Sequence, residues 1–315
     1  MGFKFGVIGP LNVDLIIRGT APSDISELRK WADLSDVFCL TAGAAGYFSQ
    51  NLKKLGNDMH LVSCLGDDPF GALILSSLKK VGINTDYISI EEGKEGAIGI
   101  FILLFGDNKR PLTYRLPTHH GWPPKLDKNQ LEYLLTVDLL HSAGYLHFSN
   151  LWNEDFLNLF KAAKQKGIKT SMDPQFPVTQ LDPPWIKVLK PLIPFVDILM
   201  VDENEAMNLT NIASIEAAAN SLYDEGFEIV AVKMGEKGVL VKDKTQTMQI
   251  TAIKPKVFVD SIGAGDSFDA GFLQGLMEEK SLEESAKMGV FSASKSIEGV
   301  GGSSAFPTRA EIEIK

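Results

Sequence analysis

Short apolar runs alternate along this chain with longer stretches whose apolar residues recur every three or four positions. That rhythm is the strongest constraint on what the chain can fold into. The runs "FKFGVIGP", "MHLVSCLG", "LLHSAG", "KTSMDP", "DILMVD" and "EIVAVKMG" read as buried strands. Between them, "FSQNLKKLG" puts Phe48, Leu52 and Leu55 on one helical face, with Gly56 placed as a C-cap. "NEDFLNLFKAAKQKG" repeats the device, with Phe156, Leu159, Phe160 and Ala163 facing inward and Gly167 closing the helix. Strand and helix in alternation build βαβ units, so the expected fold is α/β: a doubly wound, mostly parallel sheet flanked by helices. One segment departs from the rhythm. "GAIGIFILLFGDNKRPLTYRLPTHHGW" has two strand-like runs around the turn "GDNK" and no helix between them. This hairpin, together with residues 12–40, is expected to form a separate small β-sheet.

With 315 residues and 44% apolar content the chain can bury one large core. Composition does not shift across the proline pairs Pro123–Pro124 and Pro183–Pro184, so these mark loops, and residues 1–315 read as a single domain. The balance of 31 basic against 40 acidic residues, a net charge of −9, argues against broad contact with nucleic acid or anionic membranes. Two cysteines, Cys39 and Cys64, make neither a disulfide framework nor a CxxC metal site, so they are read as reduced thiols in a cytoplasmic protein. The start "MGFKFGVIGPLNVDLII" suits a first strand better than a signal peptide. No run approaches the ~18 apolar residues of a membrane span, so a soluble protein is expected.

The stretch "DSIGAGDSFDAGF", Asp260 to Phe272, carries the chemistry. Glycines without Cβ atoms let a backbone approach a ligand, and amide N–H groups at a helix start converge where the helix dipole adds positive potential. Phe268, Phe272, Leu273 and Leu276 recur at helical spacing, which predicts a helix with a buried face beginning near Asp266. The dipole favours an ionised carboxylate there. A charged Asp266 beside a phosphate cradle needs a task, and accepting a proton from an attacking hydroxyl fits. From spacing alone a second reading stays open, a glycine turn followed by an N-capping Asp.

Other features carry less. His119 and His120 in "LPTHHGW" read as solvated loop residues, and His60, His141 and His147 show no zinc spacing. "GVIGP" lacks the third glycine of a dinucleotide fingerprint. Asp173 ends a strand, where ligands to α/β sheets collect and where an Asp also caps turns. Arg110, Arg115 and "EEGKEG" read as solvated charges.

"DSIGAGDSFDAGF" resembles the C-terminal signature of the ribokinase-like (PfkB) carbohydrate kinase family. The resemblance extends along the chain: "GPLNVDLI" is similar to the family's first substrate-binding strand, "CLGDDPFG" to its Gly-Asp-Asp turn, "DILMVDENEAMNL" to its Asn-x-x-Glu region and "VKMGEKGVLV" to its nucleotide-side strand pair. The resemblance implies an ATP-dependent kinase acting on a hydroxyl of a sugar or nucleoside. Asp266 would be the base, and the backbone of Gly263, Ala264, Gly265 and Asp266 would stabilise the migrating charge. Glu205, with Asp202 beside it, would organise Mg2+ through water, and Lys233 and Gly235 would contact the nucleotide. Asn12, Asp14 and Gly43 would face the substrate, with Asp14 accepting hydrogen bonds from sugar hydroxyls, and Asp173 is a substrate candidate from its strand-end position alone. The small sheet, parts of 12–40 and 96–120, would be a lid that often mediates homodimers in this family. Whether a monovalent cation assists is left open. Two departures stand out. Asp202 replaces the family's Asn. Tyr47 stands where a sugar-binding Asn is common, and Ala42 where the first Gly of a Gly-Gly turn would be. Tyr47 would stack on a sugar or base, or else narrow the pocket, and both departures also admit a ligand-binding homologue with little turnover.

Overall fold

Each of the six apolar runs contains one extended strand, and all six lie in one sheet. The structure, a computed structural model, describes residues 2–21, 23–24, 26–27, 35–104, 126–177 and 180–313, and strand 112–115 by its backbone. The strands are β1 (Lys4–Ile8), β2 (Asn12–Gly19), β3 (Ser35–Ala42), β4 (Asp58–Gly66), β5 (Ile88–Glu91), β6 (Ile98–Leu103), β7 (Leu112–Arg115), β8 (Leu139–Ala143), β9 (Lys169–Asp173), β10 (Ile198–Asp202), β11 (Ile229–Lys233), β12 (Val239–Lys242) and β13 (Thr247–Ile250). The helices are α1 (Ala44–Lys54), α2 (Pro69–Lys80), α3 (Lys128–Leu134), α4 (Glu154–Gln165), α5 (Ile186–Leu189), α6 (Glu203–Thr210), α7 (Ile215–Glu225), α8 (Ala264–Met277), α9 (Leu282–Ser296), α10 (Gly301–Ser304) and α11 (Arg309–Glu313).

The main sheet runs β13-β12-β11-β10-β9-β8-β1-β4-β5. It is parallel from β11 through β5, and β12 and β13 add antiparallel strands at one edge. Period-two alternation within each strand serves two cores. Ile8, Leu140, Leu199 and Val201 face a cluster that includes Phe156 and Phe160 of α4. Val7, Leu139, Ile198 and Met200 face the opposite cluster, with Phe48 of α1 and Phe268 and Phe272 of α8. The chain leaves β1 for β4 and β5 on one side, then returns to β8 on the other. Ligands to such sheets collect at the carboxyl ends of the strands near that reversal.

The small sheet is separate, in the order β3-β2-β6-β7. β6 and β7 pair antiparallel, Ile98 opposite Arg115, as the hairpin requires. The parallel pairing of β2 with β6 has no local signature, because it joins segments about 80 residues apart. The turn "GDNK", Arg110, His119 and His120 lie outside the described residues.

One helix start differs from expectation. α1 begins at Ala44, before Phe48, because Ala44, Ala45 and Gly46 are small enough to be buried where the helix leaves Gly43. α8 begins at Ala264, near Asp266 as expected, with Gly263 as its N-cap residue. Both cysteines are free, Cys39 exposed and Cys64 buried. Among the described residues, no helix is long and apolar enough to cross a membrane.

Candidate active site

Three neighbouring strands deliver their last residues to one place: Asp173 closes β9, Asp202 closes β10 and Lys233 closes β11, with Asp202 and Lys233 in register. Helix α8 starts at the same edge and carries Asp266 in its first turn. Gly263 makes this start possible. Its φ of 69° is left-handed, and a Cβ there would meet Gly302 Cα at 2.6 Å and Tyr47 Cδ2 at 2.9 Å.

The expected cradle of backbone amides is only partly available. The Ala264 N–H donates to the Ser261 carbonyl at 3.3 Å, and the Asp266 N–H bonds its own carboxyl. Gly265, at the second position of the helix, donates to no backbone acceptor among the described residues. The missing positive charge comes from a side chain. Lys233 Nζ lies 3.5 Å from where a Cβ on Gly265 would stand.

Lys233 is bound on both sides by carboxylates, Asp173 Oδ2 at 2.7 Å and Asp269 Oδ1 at 3.1 Å. Burial works against its ammonium, but Asp173, Asp269 and Glu205 outweigh burial and hold its pKa well above the usual lysine value. Asp173, buried as well, is drawn below the ordinary carboxylate range by that ammonium. Asp266 goes the other way. Burial first, then the Asp173 charge, raise its pKa well above the ordinary value despite Lys233, so the dipole that was expected to keep it ionised does not prevail. Carboxylate oxygens of Asp173, Asp266 and Asp269 lie within 4.8 Å of one another. The Lys233 ammonium already bonds two of these three acids.

Asp202 and Glu205, the expected metal ligands, lie outside that convergence. They form a capping box at the start of α6: the Glu205 N–H donates to Asp202 Oδ1 and the Asp202 N–H to Glu205 Oε2, both at 2.8 Å. This explains the departure from Asn, since Asp caps a helix as well as Asn does. Asp202 Oδ2 and Glu205 Oε1 accept no hydrogen bond from any described residue, so one oxygen of each fits a hydrated magnesium ion. Glu205 is buried, and burial with the Asp173 and Asp202 charges pushes its pKa well up. A cation bound there would work against that shift. Gly235 begins an exposed turn with φ of 55° and nothing within 4 Å of where its Cβ would be, so the strand end beyond Lys233 is open.

On the substrate side the structure corrects one expectation. Tyr47 offers no face for stacking, because it is 4% exposed and its ring packs on Gly263 and Gly302. Its hydroxyl donates to Asp14 Oδ2 at 2.7 Å and so occupies an oxygen expected to receive sugar hydroxyls. The other oxygen, Asp14 Oδ1, accepts from Asn12 Nδ2 at 2.7 Å. Burial pushes the Asp14 pKa up to about 7, against the pull of these two hydrogen bonds. At Gly43 the space a Cβ would take is filled by the Pro10 carbonyl at 2.5 Å and Asn12 Oδ1 at 2.9 Å, and its φ of 91° is left-handed, so the turn requires glycine.

Two site residues have no counterpart in the sequence reading. Asp269 is buried one turn after Asp266. An acid between Phe268 and Ala270 on an apolar helix needs a buried partner, and that was the available signal. Gln175 places its amide 3.5 Å from Asp266 Oδ1 and had no such signal.

Comparison with known proteins decides the family. The sequence matches the profile of the pfkB family carbohydrate kinases over residues 12–309. The chain belongs to that family. The kinase is 31% identical over 255 residues to a cytidine kinase of Thermococcus kodakarensis, covering 80% of this chain and 85% of that protein. It is 26% identical over 264 residues to a ribokinase of Haemophilus influenzae, covering 82% and 81%. The Arabidopsis thaliana ribokinase complexed with ribose and ATP has the same fold, with a TM-score of 0.81 at 22% identity over 100% of this chain and 98% of that one. The kinase is thus a phosphotransferase with an alcohol acceptor, built on the ribokinase-like fold with a small-sheet lid.

Proposed function

We propose that this kinase transfers the γ-phosphoryl group of ATP to a hydroxyl of a neutral sugar, with Asp266 as general base. The observation that carries the reading is the setting of Asp266, in the first turn of α8 beside the Lys233–Asp173 pair, with its pKa raised by burial and by Asp173. A carboxylate of raised basicity takes a proton more readily than an ordinary one. The acceptor oxygen forms a bond to the γ-phosphorus, the bond from that phosphorus to the bridging oxygen breaks, ADP leaves and the hydroxyl proton passes to Asp266. Lys233 and the Gly265 N–H face the charge that spreads over the transferred oxygens. Magnesium, when bound, would further neutralise the phosphates, and Asp202 and Glu205 would hold it through water.

A neutral substrate is supported by the substrate-side positions Asn12, Asp14, Gly43 and Tyr47, none of which is a Lys or Arg. A second reading, a nucleoside acceptor, is favoured by the identity to the cytidine kinase. In this reading of the fold, Asn12 and Asp14 on β2 bring the lid to the substrate. The outward residues Val37 and Cys39 of β3 make the face on which a homodimer would form. An ADP-release assay with D-ribose, D-fructose, cytidine and adenosine separates the readings. Turnover with a sugar is expected, and turnover confined to a nucleoside would replace the first reading by the second. Ligand binding with no turnover on any acceptor would leave a homologue that binds without catalysis.

A further inference from the structure

Gln175 follows Asp173-Pro174 at the end of β9 and has a φ of 54°, the left-handed region, although it carries a side chain. Such a conformation is unfavourable for a residue with a Cβ and persists where its surroundings over-determine it, often at functional sites. Here the loop is held from several sides. The Gln175 N–H donates to Asp173 Oδ1 at 3.1 Å, and the other oxygen of Asp173 is bound by Lys233 at 2.7 Å. The Gly144 N–H donates to the Asp173 carbonyl at 2.7 Å. What this conformation achieves is an aim. Gln175 Nε2 lies 3.5 Å from Asp266 Oδ1, while Oε1 turns toward Gly144, where a Cβ would come within 3.4 Å of it.

We propose that Gln175 is a positioning residue for phosphoryl transfer: its amide holds Asp266 Oδ1, so that Oδ2 is the oxygen presented to the acceptor hydroxyl. The inference rests on the reading of Asp266 as general base. A carboxyl pinned at one oxygen offers the other in a fixed direction, and proton acceptance during in-line attack depends on that direction. At 3.5 Å the contact is at the long end of the hydrogen-bond range. The same chain of contacts links the base to Lys233 through Asp173, so the group that faces the phosphoryl charge and the group that takes the proton share one support.

The test uses the full chain with Mg-ATP and whichever of D-ribose, D-fructose or cytidine turns over fastest. Glycine adopts positive φ without strain, so Gln175→Gly keeps the loop and removes only the amide. It is expected to melt no lower than wild type and to keep the KM for ATP within about twofold, with kcat lower by about 10-fold or more. Gln175→Glu sets a second carboxyl beside Asp266 while the other groups that face it, Asp173, Lys233, Asp14, Asp269 and Tyr47, stay unchanged. Its acidic limb in the kcat–pH profile is expected to move upward. A Gln175→Gly enzyme with kcat within about twofold of wild type overturns the inference. Asp266→Asn is measured in parallel. If it keeps wild-type turnover, the general-base reading and this inference fall together, whereas its loss alongside an active Gln175→Gly enzyme sinks this inference alone. If none of the three acceptors turns over, the carboxyl 13C resonance of Asp266, assigned by its absence in Asp266→Asn, decides. Its titration midpoint should rise in Gln175→Gly, and an unmoved midpoint overturns the proposal.

Discussion

Burial changes the acid–base chemistry of Asp14. Its folded pKa of about 7 lies above the ordinary carboxylate value, so folding favours the protonated form. Its contribution to stability is fully present below the unfolded pKa of about 4 and is lost as pH rises through about 7. Thermal melts from about pH 4 to pH 8 should therefore show wild type falling behind Asp14→Asn, with the gap widening up to about pH 7 and then holding. Parallel curves would contradict this. Lys233 gives a second prediction. Replacing it by Met strands Asp173 and Asp269 in the interior, an expected loss of about 3–5 kcal/mol in urea unfolding. Adding Asp269→Leu to that variant should recover part of the loss, since one stranded acid is then gone. Asp266 and Asp173 could be named from the sequence because a glycine turn and a strand end announce them, and Lys233 through the family resemblance. Gln175 could not. Its importance depends on a backbone conformation that nothing in "DPQF" requires.

At the scale of the element, local signals were sufficient wherever one element decides its own ends. Gly56 and Gly167, read as C-caps, have φ of 91° and 73° beyond α1 and α4. What local signals missed is pairing between elements, as with the β2–β6 pair. Asp202, expected beside Glu205 at the metal, has as its first task to start a helix. Asp202→Asn should therefore leave stability within about 0.5 kcal/mol, while Asp202→Ala should cost about 1 kcal/mol in denaturant unfolding. Equal losses in the two variants would mean that charge, not capping, is what the position needs. Helices α8 and α9 show how tightly the site's main helix is fixed. A Cβ on Gly271 would stand 2.7 Å from the Met288 carbonyl and 2.3 Å from Ser292 Oγ. Alanine gains about 1 kcal/mol of helix propensity over glycine, but a clash with backbone cannot be relieved by a rotamer change. Gly271→Ala should therefore lower Tm and, through the N-terminus of α8, kcat as well.

Across the whole molecule, the doubly wound sheet and the small sheet divide the labour. The sheet's strand ends hold the charged groups, and the small sheet reaches over with Asn12 and Asp14. Five of the six main strands were legible as apolar runs buried on both faces, and β9, with Met172 its one apolar residue, by its place after the glycine that closes α4. The outward face of the small sheet, where Val37 is 65% exposed, reads only as alternation until its strands are paired. If that face forms a homodimer, Val37→Asp should yield a monomer in sedimentation equilibrium, and an unchanged mass would place the contact elsewhere or exclude it. The central claim is that Asp266 takes the acceptor's proton at a site where Lys233 and the start of α8 meet the migrating phosphoryl group. Its most direct test is single-turnover phosphoryl transfer from ATP by Asp266→Asn beside wild type, with ATP affinity measured on the same samples. The account predicts a fall in the transfer rate of at least ~10²-fold with ATP affinity largely kept. Transfer at a near wild-type rate would contradict it.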